Sequence, residues 1–136
     1  MGAYRFSLGT RFHWQQAAYE VIRVLPAGSV QLEDIVEACT RINIYTSDMS
    51  LEHFRSDQKT IDAVVRNLEV IGEAAKKVPD DIRKLIDVEW KRIAGLKDIL
   101  IHEYFRVDVD IVWDVVKGKV PELSRHVSEY LKKRGA

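Results

Sequence analysis

Residues 58–78, QKTIDAVVRNLEVIGEAAKKV, decide the fold. Ile61, Val64, Val65, Leu68, Gly72 and Ala75 recur at steps of three and four, so they share one face of a helix whose other side is charged. Ser56 or Asp57 stands where an N-cap is needed. Gly72 falls at the centre of the apolar stripe, where a missing side chain costs about 1 kcal/mol of helix propensity relative to Ala. Close approach of a neighbouring backbone would offset that cost. Glu69 and Glu73 lie beside the stripe, four residues apart. They repel mildly unless a base or a helix terminus faces them, and are otherwise two solvated acids.

Working outward, the same period recurs on both sides. Leu32, Ile35, Val36, Cys39 and Ile42 form one stripe, with Cys39 read as a small buried hydrophobe. Ser50 can cap a short turn through Leu51 and Phe54. Pro79-Asp80-Asp81 ends the long helix and can start a short one carrying Ile82 and Leu85. Asp87 can cap a helix from Val88 to about Phe105, and Asp108 one with Val109, Val112, Trp113 and Val116. Pro121 suits the first turn of a last helix bearing Leu123, Val127, Tyr130 and Leu131. No strand pattern competes. The expected fold is all-α, an up-and-down bundle of four to five main helices. Residues 29–136 are expected to form that bundle, and residues 1–28 an appendage. The appendage holds three arginines against one acid, and a helical stretch from about Phe12 to Leu25 that stops at Pro26-Ala27-Gly28. It is read as an arm docking on the body or a partner, as a poorly ordered start, or as an upstream start codon read into the gene.

The chain has 136 residues, the size of one domain, and can bury about two-thirds of its surface. With 46% hydrophobic residues and only 7 Gly and 3 Pro, collagen-like and disordered readings are excluded. Lys plus Arg equals Asp plus Glu at 21 each, so no broad basic field exists for duplex DNA, although a local basic patch is compatible with this balance. A single cysteine forms no internal disulfide, no secretory leader is visible, and the apolar runs are too short and too charged to span a membrane. The expected location is cytoplasmic.

Chemistry concentrates in residues 90–105, WKRIAGLKDILIHEYF. At 100° per residue, Trp90, Ile93, Lys97, Leu100, Ile101 and Tyr104 fall on one broad side, and Gly95, Asp98 and His102 on another. Lys97, mid-stripe, either snorkels to the edge or points at a polar site between subunits. Gly95 precedes His102 by seven residues on nearly the same line, the geometry of a dimer seam. HEYFR lacks the second histidine of a zinc protease, and His13, His53 and His126 show no ligand spacing, so no metal is expected. Nor is any cofactor, since there is no Gly-rich phosphate loop, GxSxG elbow or Cys-His pair. What remains is histidine with bases around it: Lys97, Arg106 and Arg92. Such a set can cleave RNA, with His102 moving a proton to or from ribose or leaving oxygen and Lys97 offsetting phosphoryl charge.

The stretch from about Leu32 to Leu131 resembles the HEPN superfamily, specifically its HepT-like subgroup. The match is carried by LEDIVEAC, SDQKTIDAVVRNLEVIGEAAKKVPDDIR, WKRIAGLKDILIHEYFRVDVDIVWDVV and the closing VPEL. The resemblance implies a homodimer whose two motifs meet at the interface in a composite, metal-independent RNA-cleaving site. It also implies a toxin whose partner is a minimal nucleotidyltransferase antitoxin that adds AMP to the motif tyrosine. The family motif is arginine, four residues, histidine, one residue, tyrosine. It puts the catalytic set on Lys97, His102 and Tyr104, with Tyr104 also the AMPylation site and Asp98 orienting the cluster; Arg106 and Glu73 are read as supporting residues.

Lys97 departs from the motif arginine. It keeps the charge but loses the planar fork that pairs with two phosphoryl oxygens, so reduced or absent activity is expected, with Arg106 a candidate substitute. The leading expectation is therefore an RNA endonuclease toxin. The alternative is a catalytically silent dimer that binds its nucleotidyltransferase or RNA, and a third reading is a bundle with an unrelated ligand in a central pocket.

Overall fold

The computed structural model describes residues 28–102 and 108–135, with the side chains of Ile99, Ile101, His102 and Gly135 excepted. The expected helix at 12–25 lies outside them. The elements are α1 (Ser29–Thr46), α2 (Leu51–Ser56), α3 (Gln58–Lys76), α4 (Asp80–Arg83), α5 (Trp90–His102), α6 (Val109–Asp114), a π-helical turn (Val115–Lys119) and α7 (Val120–Gly135). No strand occurs among the described residues, and the all-α expectation holds.

The helices begin where side chains satisfy their free N–H groups. Ser50 accepts from the His53 N–H, Asp57 from the Thr60 N–H and Asp108 from the Asp110 N–H. α1 starts after Gly28, whose φ of +85° is glycine territory; a Cβ there would also lie 2.7 Å from Ile82 Cδ1. Two helix ends are closed by cations. Arg83 donates to the carbonyls of Ala75, Lys76 and Val78 at the end of α3. Lys117 donates to the Thr46 carbonyl at the end of α1 while lying over the Trp113 ring.

α3 is the central element, packed against both α1 and α5, and α1 also carries α7. The stripes read from the sequence meet here: Leu32, Ile35, Cys39 and Ile42 from α1, Ile61, Val64, Val65, Leu68 and Ala75 from α3, and Val112, Val116, Leu123 and Val127 from the C-terminal helices are all buried. Burial pushes the Cys39 thiol up to about 12, which fits a packing residue rather than a nucleophile. In α4 Ile82 is buried, whereas Leu85 just beyond it is exposed.

One boundary differs from expectation. α5 starts at Trp90, not after Asp87, because the buried indole N–H donates to the carbonyls of Arg83 and Ile86 and holds residues 87–89 in a turn. The last helix begins at Val120, so Pro121 lies in its first turn as expected. α6 runs through the π turn into α7, and the Val120 N–H reaches back five residues to the Val115 carbonyl. A prolyl ring clashes with the carbonyl four residues earlier, and the wider π turn relieves that crowding without ending the helix.

Candidate functional site at the crossing of α3 and α5

The site is built on a close helix crossing. A Cβ on Gly72 would lie 2.7 Å from the backbone N of Lys97 and 3.2 Å from the Ile93 carbonyl oxygen. No side chain fits between the two backbones, so the glycine at the centre of the α3 stripe is what lets α5 approach. The residue after it, Glu73, is thereby brought against Lys97, and the Lys97 ammonium donates to Glu73 Oε2.

Within the chain Lys97 is thus paired, and Glu73 is faced by a base from another helix. Lys77 stands 3.5 Å from the second Glu73 oxygen, and the hydrogen bond from Lys97 holds the Glu73 carboxyl below its ordinary value. A second ion pair runs the opposite way across the crossing: Lys76 of α3 donates at 3.1 Å to both oxygens of Asp98 on α5. Glu69 turns to Arg66 at 3.6 Å and stays clear of Glu73. Arg92 pairs with Glu89 at 3.3 Å on the exposed side of α5, away from this cluster.

His102 is the last described residue of α5, five residues and about 1.4 turns beyond Lys97. At 100° per residue the two positions stand about 140° apart around the helix axis. Asp98 and His102, by contrast, are four apart and share a face. Tyr104 and Arg106 lie outside the described residues, and so does their geometry. Gly95, on the same line as His102, has nothing within 4 Å of where its Cβ would be.

Beside the crossing lies a cleft of about 420 Å³ between α1 and α3, with Lys97 at its rim. Gln31 and Asp34 of α1, Arg66, Glu69 and Glu73 of α3, Lys77 just beyond α3, and Lys97 of α5 line the cleft. The sequence reading missed Gln31, Asp34, Lys76 and Lys77 as neighbours of the site. The signal for the lysines was present, as bases one turn beyond Glu73, but choosing partners on α1 and α5 needs the packing. No group of three or more His, Cys, Asp or Glu side chains that could hold a metal occurs among the described residues. No described helix is long and apolar enough to cross a membrane.

Comparison with known proteins agrees with this architecture. The family described as "Ribonuclease HepT-like" matches residues 35–130. The chain is 46% identical over 102 residues to a Methanocaldococcus jannaschii protein named "Putative RNase MJ0127", covering 74% of this chain and 84% of that one. It is 45% identical over 93 residues to "Probable ribonuclease HepT" of Thermococcus cleftensis, covering 68% of this chain and 84% of the relative. A Caldanaerobacter subterraneus protein named "Putative RNase TTE0752" is 43% identical over 103 residues, 75% of this chain and 92% of its own length. No solved structure matches. The all-helical bundle and the family match define a HEPN-type architecture. Within it, this chain belongs to the HepT-like ribonuclease family.

Proposed function

We propose that this chain is a metal-independent RNA endonuclease, the cytoplasmic toxin of a pair with a minimal nucleotidyltransferase antitoxin, in which residues 29–136 form the working domain. The observation that carries the reading is the helix register on α5, taken with the family match. Lys97 and His102 diverge by about 140° on one helix, so a common site needs the corresponding helix of a second copy. The uncovered line through Gly95 offers the surface for it. In the homodimer, one His102 takes the 2′-hydroxyl proton as that oxygen attacks the adjacent phosphorus. The bond from phosphorus to the 5′-oxygen breaks, and the leaving oxygen gains a proton from the partner's His102. Lys97 offsets the charge on the phosphoryl oxygens, held in place by Glu73. Asp98 and Arg106 support the cluster. Tyr104 is the acceptor for AMP, whose bulk and charge exclude the substrate phosphate.

One observation favours the alternative, a silent scaffold that binds its partner or RNA: the Lys97 ammonium is already engaged by Glu73. The deciding experiment is RNA cleavage in EDTA by the wild type, His102→Ala and Lys97→Arg. The expected result is a loss of about 10²- to 10⁴-fold in His102→Ala with the dimer intact, and a gain in Lys97→Arg, whose guanidinium holds two phosphoryl oxygens. Inert wild type and inert Lys97→Arg, both dimeric, replace the nuclease with the scaffold. Intact mass after incubation with the nucleotidyltransferase and ATP should show added AMP in the wild type and none in Tyr104→Phe.

A further inference from the structure

The cleft between α1 and α3 contains two polar side chains with no hydrogen-bond or ion-pair partner among the described residues, Gln31 and Asp34. Every other charged group lining it is matched: Arg66 to Glu69, and Lys77 and Lys97 to Glu73. Gln31 and Asp34 are three residues apart on α1, so an amide and a carboxylate stand side by side on one face. Val30, Val70 and Ala74 give the cleft an apolar wall. Its volume of about 420 Å³ is that of a small-molecule site, and Lys97 places it next to the proposed phosphate position.

From this geometry we infer that the cleft is a base-reading pocket for a guanine of the RNA, adjacent to the phosphate held at Lys97. The choice of base follows from donor and acceptor order. Guanine alone offers two neighbouring donors, N1–H and the 2-amino group, beside an acceptor, O6. The two Asp34 carboxylate oxygens accept the pair while the Gln31 amide donates to O6. Adenine and cytosine present one donor beside acceptors, and uracil one donor between two acceptors, so each leaves Asp34 half-satisfied. Partial burial and the neighbouring Glu37 raise the Asp34 carboxyl above its ordinary value against the opposing pull of Lys77, and two incoming donors relieve the remaining cost. Bases read in single-stranded RNA are recognised on this edge.

The inference rests on the proposed ribonuclease function for its substrate, but its test does not need turnover. Guanosine 3′-monophosphate, cytidine 3′-monophosphate and inorganic phosphate are titrated into the full chain by calorimetry, and cleavage products of a mixed-sequence single-stranded RNA are mapped in parallel. The guanosine nucleotide should bind at least tenfold more tightly than the other two, and Asp34→Asn and Gln31→Ala should each remove most of that preference while phosphate affinity stays the same. Equal affinity for the three probes, or a preference that survives Asp34→Asn and Gln31→Ala, overturns the pocket. Selective guanosine binding without RNA cleavage leaves the pocket standing and removes the nuclease. Cleavage without guanine preference does the reverse.

Discussion

Gly72 and Gly95 are both interior helix glycines with the same intrinsic cost, about 1 kcal/mol against Ala, yet their surroundings are opposite. At Gly72 the backbone of α5 occupies the space a Cβ would need, 2.7 Å from the Lys97 nitrogen. At Gly95 a Cβ would meet nothing within 4 Å. The first glycine has its reason inside the chain, as the crossing that sets Glu73 against Lys97. The second has none among the described residues, which directs attention outward to the proposed partner copy. One face of α5 is therefore fixed by the bundle.

The sharpest way to break this contrast is Gly72→Val. Its side chain meets backbone atoms of α5 that cannot rotate away, so stability in urea should fall by about 3 kcal/mol or more, and any RNA cleavage should fall with it because Lys97 is displaced. A folded Gly72→Val protein of wild-type stability would mean that the crossing is looser than the structure has it. Gly95→Ala should act in the other direction and more weakly. It adds up to about 1 kcal/mol of helix stability, while weakening the dimer measured by light scattering if a second helix sits on that line. A more stable variant with an unchanged dimer would move the seam elsewhere. The smallest effect concerns pH. Glu73 has a folded-state value depressed by the Lys97 hydrogen bond. Its stabilisation is therefore complete above the titration of the unfolded carboxyl and lost as pH falls through the lower folded value. Stability of the wild type minus Glu73→Gln, measured across the acidic range, should shrink in that window and be flat above it.

Much of this was legible from local chemistry. The caps at Ser50, Asp57 and Asp108 depend on one side chain and an N–H two or three residues away, so they can be read from sequence, as they were. Boundaries that depend on distant groups were not. The start of α5 moved two residues because the Trp90 indole reaches back to Arg83 and Ile86, and the π turn that joins α6 to the helix carrying Pro121 went unread. The resemblance carried by RNLEVIGEAAK and HEYF reached the family that residues 35–130 match.

By itself the sequence determined the class of fold, the apolar stripes, the need for a close neighbour at Gly72 and the residues of the motif, because periodicity, capping and motif spacing are properties of a few consecutive residues. Only the tertiary structure decided which backbone comes to Gly72, that Lys97 meets Glu73 while Asp98 meets Lys76, and that Gln31 and Asp34 share a cleft with them. Those partners are 22 to 24 residues apart across the crossing and farther from α1. Opposite charges near every stripe offer several equally plausible pairings, and the packing of α3 between α1 and α5 selects among them.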